Sequence, residues 1–443
     1  MIHRVLLGLI SLVTLAAPGA FADTVKDREG AVRKDKATLE NDARWIYNDY
    51  QRGFAEARRT GKPLLVVLRC VPCLACAGID AAVLFQETDL VPLLDQFVCV
   101  RVIDANALDL NIFQFDYDLS FSTLFFNGDG TVYGRYGSWR HQRDPQDKTT
   151  AGYKRALEAA LAIHRGYPAN RASLAGKQGK PMPFKTPVEF PALAAKYKPE
   201  LDWEGNVVRS CIHCHQIGEA LREEAREKQK RLPPEMIFPW PAPETIGLTL
   251  APEAVVKVEA VIPGSPVALA GVKAGDELVS LAGQPLISIA DVSWVLHHAS
   301  NAADLAATVK NGNSVRMIKI SLPNGWRNKT DISRRNTAWQ LRGLATGGLV
   351  LEDLSNEARV QRGLNDQQLA LLIKFVGQYG KHAAAKEAGF RKDDVITELD
   401  GKSKRMSESE IIGALLETHE PGDRVKAIVL REGQPQILSL PIQ

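Results

Sequence analysis

Cysteine is scarce in this chain: 443 residues carry six of them. That is far too few for a disulfide-dense scaffold, so the fold must rest on buried apolar surface. Long apolar runs are missing too, and no stretch reaches the roughly 20 residues that span a bilayer. Charge of one sign is absent: 55 Lys and Arg stand against 52 Asp and Glu, a net charge of +3. Without a dense basic block, nothing electrostatic points to nucleic acid. Hydrophobic residues at 45% and charged residues at 24% are ordinary for packed modules and exclude a largely disordered or collagenous chain. At about 150 residues per domain, the length suggests roughly three domains.

His3 and Arg4 precede an apolar run from Val5 to Ala17 and then Pro18-Gly19-Ala20-Phe21-Ala22. A charged start, a short apolar core and small residues before a cut at Asp23 are the layout of a secretory signal over 1–22. The expectation is a periplasmic or secreted protein with no stable membrane insertion. Residues 23–40 are polar and read as a frayed lead-in.

From Trp45 to about Gly166 the pattern is α/β. Leu64-Leu65-Val66-Val67-Leu68 is the continuous apolar run of a buried parallel strand. Phe97 to Val102 is a second such run, in which Cys99 is expected to be a buried, inert thiol. Thr123 to Phe126, then Asn127-Gly128-Asp129-Gly130 and Thr131-Val132-Tyr133, reads as a hairpin. Eleven prolines punctuate 168–243, with one charged helix from Gln216 to Arg231 among them. That segment is a long linker or a small domain held by something other than a large core. The last 200 residues repeat: Ala270-Gly271-Val272 through Asp276 to Gly283 matches Ala388-Gly389-Phe390 through Asp394 to Gly401, which indicates two copies of one module.

Cys70-Val71-Pro72-Cys73-Leu74-Ala75-Cys76 follows the first strand and opens a helix. A thiol at a helix N-terminus gains from unpaired N–H groups, which favour the attacking thiolate. Strand, C-x-x-C and helix therefore point to redox chemistry. A static disulfide, or a metal held by Cys70, Cys73 and Cys76, remains open, and three cysteines allow three pairings. The stretch from Gly61-Lys62-Pro63 through Cys76 to Gly130 resembles the thioredoxin superfamily. The resemblance implies a thioredoxin-like fold, Cys73 as attacking thiol and Cys76 as resolving thiol, with Cys70 an extra thiol. Ser122 stands where that family has a cis-proline beside the disulfide.

Cys211-Ile212-His213-Cys214-His215 is a C-x-x-C-H motif. Two sulfurs at this spacing can bond the vinyl groups of one porphyrin edge, with the next imidazole under the iron. The expectation is haem c on Cys211 and Cys214, with His215 and Met236 (or Met182) as iron ligands, and with Trp203, Phe238 and Trp240 packing on the ring. A local disulfide, or a zinc site using Cys211, Cys214 and His213 or His215, is the competing reading.

The repeated modules resemble bacterial PDZ domains of the type attached to periplasmic proteases. The resemblance implies that a peptide C-terminus adds as a strand to an open sheet edge beside a helix. It places the carboxylate loops at Gly247-Leu248-Thr249-Leu250 and Gly348-Leu349-Val350-Leu351. No nucleophile motif accompanies them, and His297 and His298 read as helix-face residues beside Trp294. The whole order resembles a secreted thioredoxin–PDZ family. The expected architecture is multidomain, α/β plus α+β: a thioredoxin-like domain at 37–167, a proline-rich C-x-x-C-H segment at 168–243, and PDZ domains at 244–323 and 343–443. The expected function is thiol–disulfide redox chemistry with haem-linked electron transfer, redox partner proteins, and recognition of protein C-termini. The alternative is a non-enzymatic PDZ scaffold with structural cysteines.

Overall fold

A computed structural model describes residues 19–86 and 89–443. The expected leader, up to Pro18, lies outside them. Among the described residues no helix is long and apolar enough to cross a membrane.

The first sheet is built from β1 (Trp45–Tyr47), β2 (Leu64–Arg69), β3 (Val98–Val102), β4 (Phe121–Phe126) and β5 (Val132–Tyr136), in the order β1-β3-β2-β4-β5. β1, β3 and β2 run parallel, while β4 and β5 form the antiparallel hairpin read from the sequence. Every residue of β2, β3, β4 and β5 is buried, as their unbroken apolar runs require when helices cover both faces. Alternate residues serve the two faces. Leu64, Val66 and Leu68 pack with Phe54 of helix Tyr50–Thr60, and Leu65 and Val67 pack with Tyr153 and Leu157 of helix Ala151–Arg165.

The lead-in is not frayed. Helix Gly19–Leu39 buries Val32 and Leu39, and its Asp35 takes Arg101 Nε at 3.0 Å. Arg101 in turn donates to Asp80 at 2.8 Å, and Arg69 Nε reaches Asp80 at 3.0 Å. This chain of alternating charges lies beneath the end of β2, with Arg101 fully buried. Polar composition hid the helix because it is held as much by an ion pair as by apolar surface.

Residues 168–243 form no sheet. Short helices, and the longer Cys214–Gln229, wrap the first sheet's domain. Phe190, Leu193, Ile212 and Ile217 close a small core against Leu110. The sequence left open a long linker or a small domain; the segment is instead a strap that packs on the first domain.

The repeat appears as repeated architecture. β6 (Leu248–Leu250) and β7 (Val258–Val261) pair beside a four-stranded sheet of β8 (Glu277–Leu281), β9 (Gln284–Pro285), β10 (Ala303–Asn311) and β11 (Ser314–Leu322), with helix Ile289–His298 across it. β12 (Leu349–Asp353), β13 (Leu371–Val376), β14 (Val395–Leu399), β15 (Arg424–Arg431) and β16 (Gln434–Pro441) form one antiparallel sheet with helix Glu408–Thr418 in the matching position. Buried ion pairs join these parts: Lys177 of the strap to Asp291 of the first module at 2.6 Å, and Arg335, between the two modules, to Asp116 of the first domain at 2.9 Å.

Burial opposes ionisation of Asp80, but Arg101 and Arg69 hold its carboxyl below the usual range. A carboxyl lowered in the folded state stabilises above its unfolded pKa, and that contribution is lost as pH falls through the folded value. Asp80→Ala leaves two buried guanidinium groups short of a partner and is expected to cost about 3–5 kcal/mol at neutral pH. Urea denaturation of wild type and variant checks this; the gap is expected to narrow in acid.

Candidate functional site

β2 ends at Arg69, so Cys70 is the first residue off the strand. Its N–H donates to Ser120 O at 2.9 Å, and Cys73 N–H turns back to Cys70 O at 3.1 Å. Arg69 lies under this turn and donates to the carbonyls of Cys70 and Cys73. The turn brings Cys70 Sγ to 2.8 Å from Cys73 Sγ, with both thiols free. His213 Nδ1 stands 3.4 Å from Cys70 Sγ and 3.3 Å from Cys73 Sγ.

Of the six thiols, Cys73 alone is not buried. Its pKa falls well below that of an ordinary cysteine. The hydrogen bond from the Cys70 thiol is the largest cause; burial opposes it, and His213 and then His215 add to it. Cys70 moves the other way, raised by that same bond to Cys73 and then by burial. The pair therefore shares one proton, with the negative sulfur at Cys73.

Cys76 does not face this pair. It caps helix Ala77–Ala81 with φ near 60°, is buried, and donates to Gln142 Oε1 at 3.3 Å. Burial raises its pKa. Cys73 thus lies beside Cys70 and not beside Cys76, the resolving thiol that the resemblance implies, because the chain turns back from Cys73 to Cys70 while Cys76 is aimed inward at Gln142. Ser120, not Ser122, gives its carbonyl to the site. Cys99 is buried as expected, its thiol pushed up to about 12 by burial.

His213 reaches the thiols because the strap is clamped. Asn106, fully buried, donates to Lys198 O at 2.7 Å and Ser210 O at 2.8 Å, and accepts from Ile212 N–H at 2.8 Å. His213 N–H donates to Gln216, whose amide donates to Tyr197 Oη at 2.9 Å. Neither Asn106 nor His213 was singled out as a thiol partner from sequence; only the folded chain brings them within reach.

The C-x-x-C-H residues do not fit a haem. Cys211 packs with Val71, Ile103 and Val207, while Cys214 packs into the first domain's core. The space that both line, with Cys70, is about 10 Å³. His215 lies 4.0 Å from Glu219. Met182 and Met236 line a separate cavity of about 620 Å³ that neither thiol reaches. Trp203, Phe238 and Trp240 sit in three different places, Trp203 under Lys36 and the other two in the cores of the two C-terminal modules. The space that both sulfurs line is touched by neither His215 nor either methionine. Burial raises both thiols, Cys214 to about 12.

At the first repeat, Gly247 adopts φ 81° and leads into β6, whose Leu248 and Leu250 point into the core. A cavity of about 550 Å³ lies beside β6 and helix Ile289–His298, lined by Thr249, Leu250, Ile289 and Ser293. Its other wall belongs to the first domain, through Leu119, Ser122 and Trp139. The second repeat differs. Gly348 has φ 91°, and Leu349, Val350 and Leu351 enter β12, paired with β13. Leu351 N–H, however, is taken at 2.8 Å by Glu408, which Arg342 holds in place. The chain's own carboxylate fills the position where a peptide strand would need a free donor. His297 and His298 stack against Trp240 and Trp294 as helix-face residues.

A family model described as thioredoxin-like matches residues 45–128, and one described as a PDZ domain matches residues 257–308. No curated protein matches the chain. Two solved structures of the HtrA-type protease AlgW with decapeptide are similar at 16% identity and a TM-score of 0.21, over 31% and 32% of this chain. The aligned region spans only 40% and 49% of those chains, and so slight a likeness carries no argument. What the sheets, the thiol turn and the two family matches establish together is a chain with a thioredoxin-like domain over 45–128 and a PDZ domain over 257–308.

Proposed function

We propose that this protein is an exported thiol–disulfide redox protein that holds client C-termini in the groove of its first PDZ module. In this reading the thioredoxin-like domain spans 37–167, the strap 168–243 carries His213 to the thiols, and the peptide-binding modules span 244–323 and 343–443. The observation that carries it is the Cys70–Cys73 pair, with the negative sulfur on the one thiol that is not buried.

The chemistry is thiol–disulfide exchange. Cys73 thiolate attacks a client disulfide, forming a mixed disulfide and releasing one client thiolate. Cys70, losing its proton, attacks the Cys73 sulfur and releases the second. The products are a client dithiol and a Cys70–Cys73 disulfide, which a redox partner protein with a dithiol must reduce again. The groove's cavity shares a wall with the thioredoxin-like domain, which supports capture and chemistry on one client. The C-x-x-C-H segment serves in this reading as a positioning strap, and no haem step is part of it.

Cys73→Ser and Cys70→Ser are each expected to abolish reduction of insulin disulfides, while Cys76→Ser retains at least about half the rate. Equal rates for wild type and Cys73→Ser would leave the adaptor reading. Iodoacetamide is expected to label Cys73 first, at about pH 6, where an ordinary thiol is inert; peptide mapping by mass locates the label. Ser293→Trp fills the groove and is expected to weaken binding of C-terminal peptides at least about tenfold, read by fluorescence polarisation.

A further inference from the structure

We propose that the reduced Cys70–Cys73 pair and His213 Nδ1 form a binding site for Cu(I), closed across the contact between the thioredoxin-like domain and the Cys211–His215 strap. The inference rests on the redox reading only in that both need the two sulfurs to exist as free thiols.

Three donor atoms converge there: sulfur to sulfur 2.8 Å, and imidazole nitrogen to the sulfurs 3.4 and 3.3 Å. Among the described residues these three are the one group of cysteine, histidine and carboxylate side chains whose ligand atoms fall within 4.8 Å of one another. The circle through the three atoms has a radius of about 1.8 Å, so an ion displaced about 1 Å from their plane lies about 2.1 Å from each, a normal bond to nitrogen and about 0.2 Å short of one to sulfur. Modest outward rotation of the two sulfurs would flatten the site toward a trigonal one.

The donor set selects the ion. Two thiolates and one imidazole are soft ligands, the class that favours Cu(I) and Zn(II) over magnesium, calcium or manganese. A closed zinc site takes four donors. Of the other thiols nearby, Cys76 donates to Gln142, Cys211 faces Ile103 O and Cys214 packs into the first domain's core, and none of them lies within 4.8 Å of all three donor atoms. Three donors satisfy Cu(I) and leave zinc one short. The site is also pre-formed, since Asn106, Gln216 and Tyr197 hold the backbone that presents His213. Two thiolates and one monovalent cation leave a single negative charge, above the turn whose carbonyls Arg69 holds.

Binding is ligand exchange: Cu(I) replaces the thiol protons, which leave to solvent, and no oxidation state changes. A Cys70–Cys73 disulfide removes two of the three donors. The same sulfurs thus carry either a disulfide or a cuprous ion, never both.

The test is anaerobic titration of the full, reduced chain with Cu(I) against a coloured chelator. One Cu(I) per chain is expected to leave the chelator. Cys70→Ser is expected to retain none, His213→Ala to bind at least about tenfold more weakly, and Cys76→Ser to match wild type, with circular dichroism confirming that each variant is folded. Protein first oxidised to the Cys70–Cys73 disulfide is expected to take none. No withdrawal of Cu(I) by the reduced chain, unchanged affinity in His213→Ala, or retention of one zinc while Cu(I) stays with the chelator would each overturn the site. Intact mass reads disulfide formation separately. A chain that forms the disulfide but takes no Cu(I) loses the copper site alone, and one that binds Cu(I) but never reduces insulin loses the redox reading alone.

Discussion

One buried amide sets the geometry of the thiol site. Asn106 has no exposed surface, and its side chain makes three hydrogen bonds to the backbone of the strap, at Lys198, Ser210 and Ile212. Left unpaired, a buried amide costs several times what one such bond returns, so the strap docks in this register or not at all. The register decides which side chain meets the sulfurs. With Ile212 N–H on Asn106, the next residue, His213, points at Cys70 and Cys73. A slip of one residue would offer an isoleucine or a third thiol instead, and the polarity of the pair would be lost.

The fold was legible where local composition decides it. β2 and β4 are unbroken apolar runs, and the hairpin turn carries its own glycines, so the thioredoxin-like sheet could be read directly. The repeated Gly–Asp–Gly pattern likewise announced two copies of one module. The site was less legible, because Cys70 to Cys76 contains two overlapping C-x-x-C spacings that a sequence cannot rank. What ranks them is where the strand stops and how the chain turns afterwards. Cys76, in a left-handed conformation, is aimed inward at Gln142. The C-x-x-C-H pentapeptide misled for a related reason. Its spacing is equally compatible with a haem edge and with a strap, and the strap is held by Asn106, whose bond from Ile212 N–H no local pattern predicts. Helix Gly19–Leu39 was hidden because its anchor, Asp35, finds Arg101 on a strand far along the chain.

The two repeats show what duplication kept and what it let go. Asp276 accepts from the N–H of Lys273 and from Arg316 of the following hairpin; Asp394 accepts from the N–H of Arg391 and from Arg431. This tie locks the turn before the central strand onto the last two strands, and it is retained in both. The groove is not. In the first copy it opens onto a cavity, and in the second Glu408 occupies the strand's donor.

The first-domain wall of the cavity and the thiols are joined by β4. Ser120, just before that strand, gives its carbonyl to Cys70 N–H and Arg69, and its hydroxyl has one proton to donate between Ala75 O at 3.1 Å and Oε1 of the Gln142 that holds Cys76 at 2.9 Å. Two residues on, Ser122 lines the cavity beside the first PDZ groove. β4 is buried along its whole length and hydrogen-bonded on both edges. A segment so constrained moves as a unit with its sheet, in contrast to the flexible linkers that usually join domains. The spacing between this wall of the cavity and the thiol pair is therefore a property of the sheet itself. If a client tail occupies that groove, as proposed, the reach of the remaining client chain, set by its length in residues, determines which of its disulfides can arrive at Cys73.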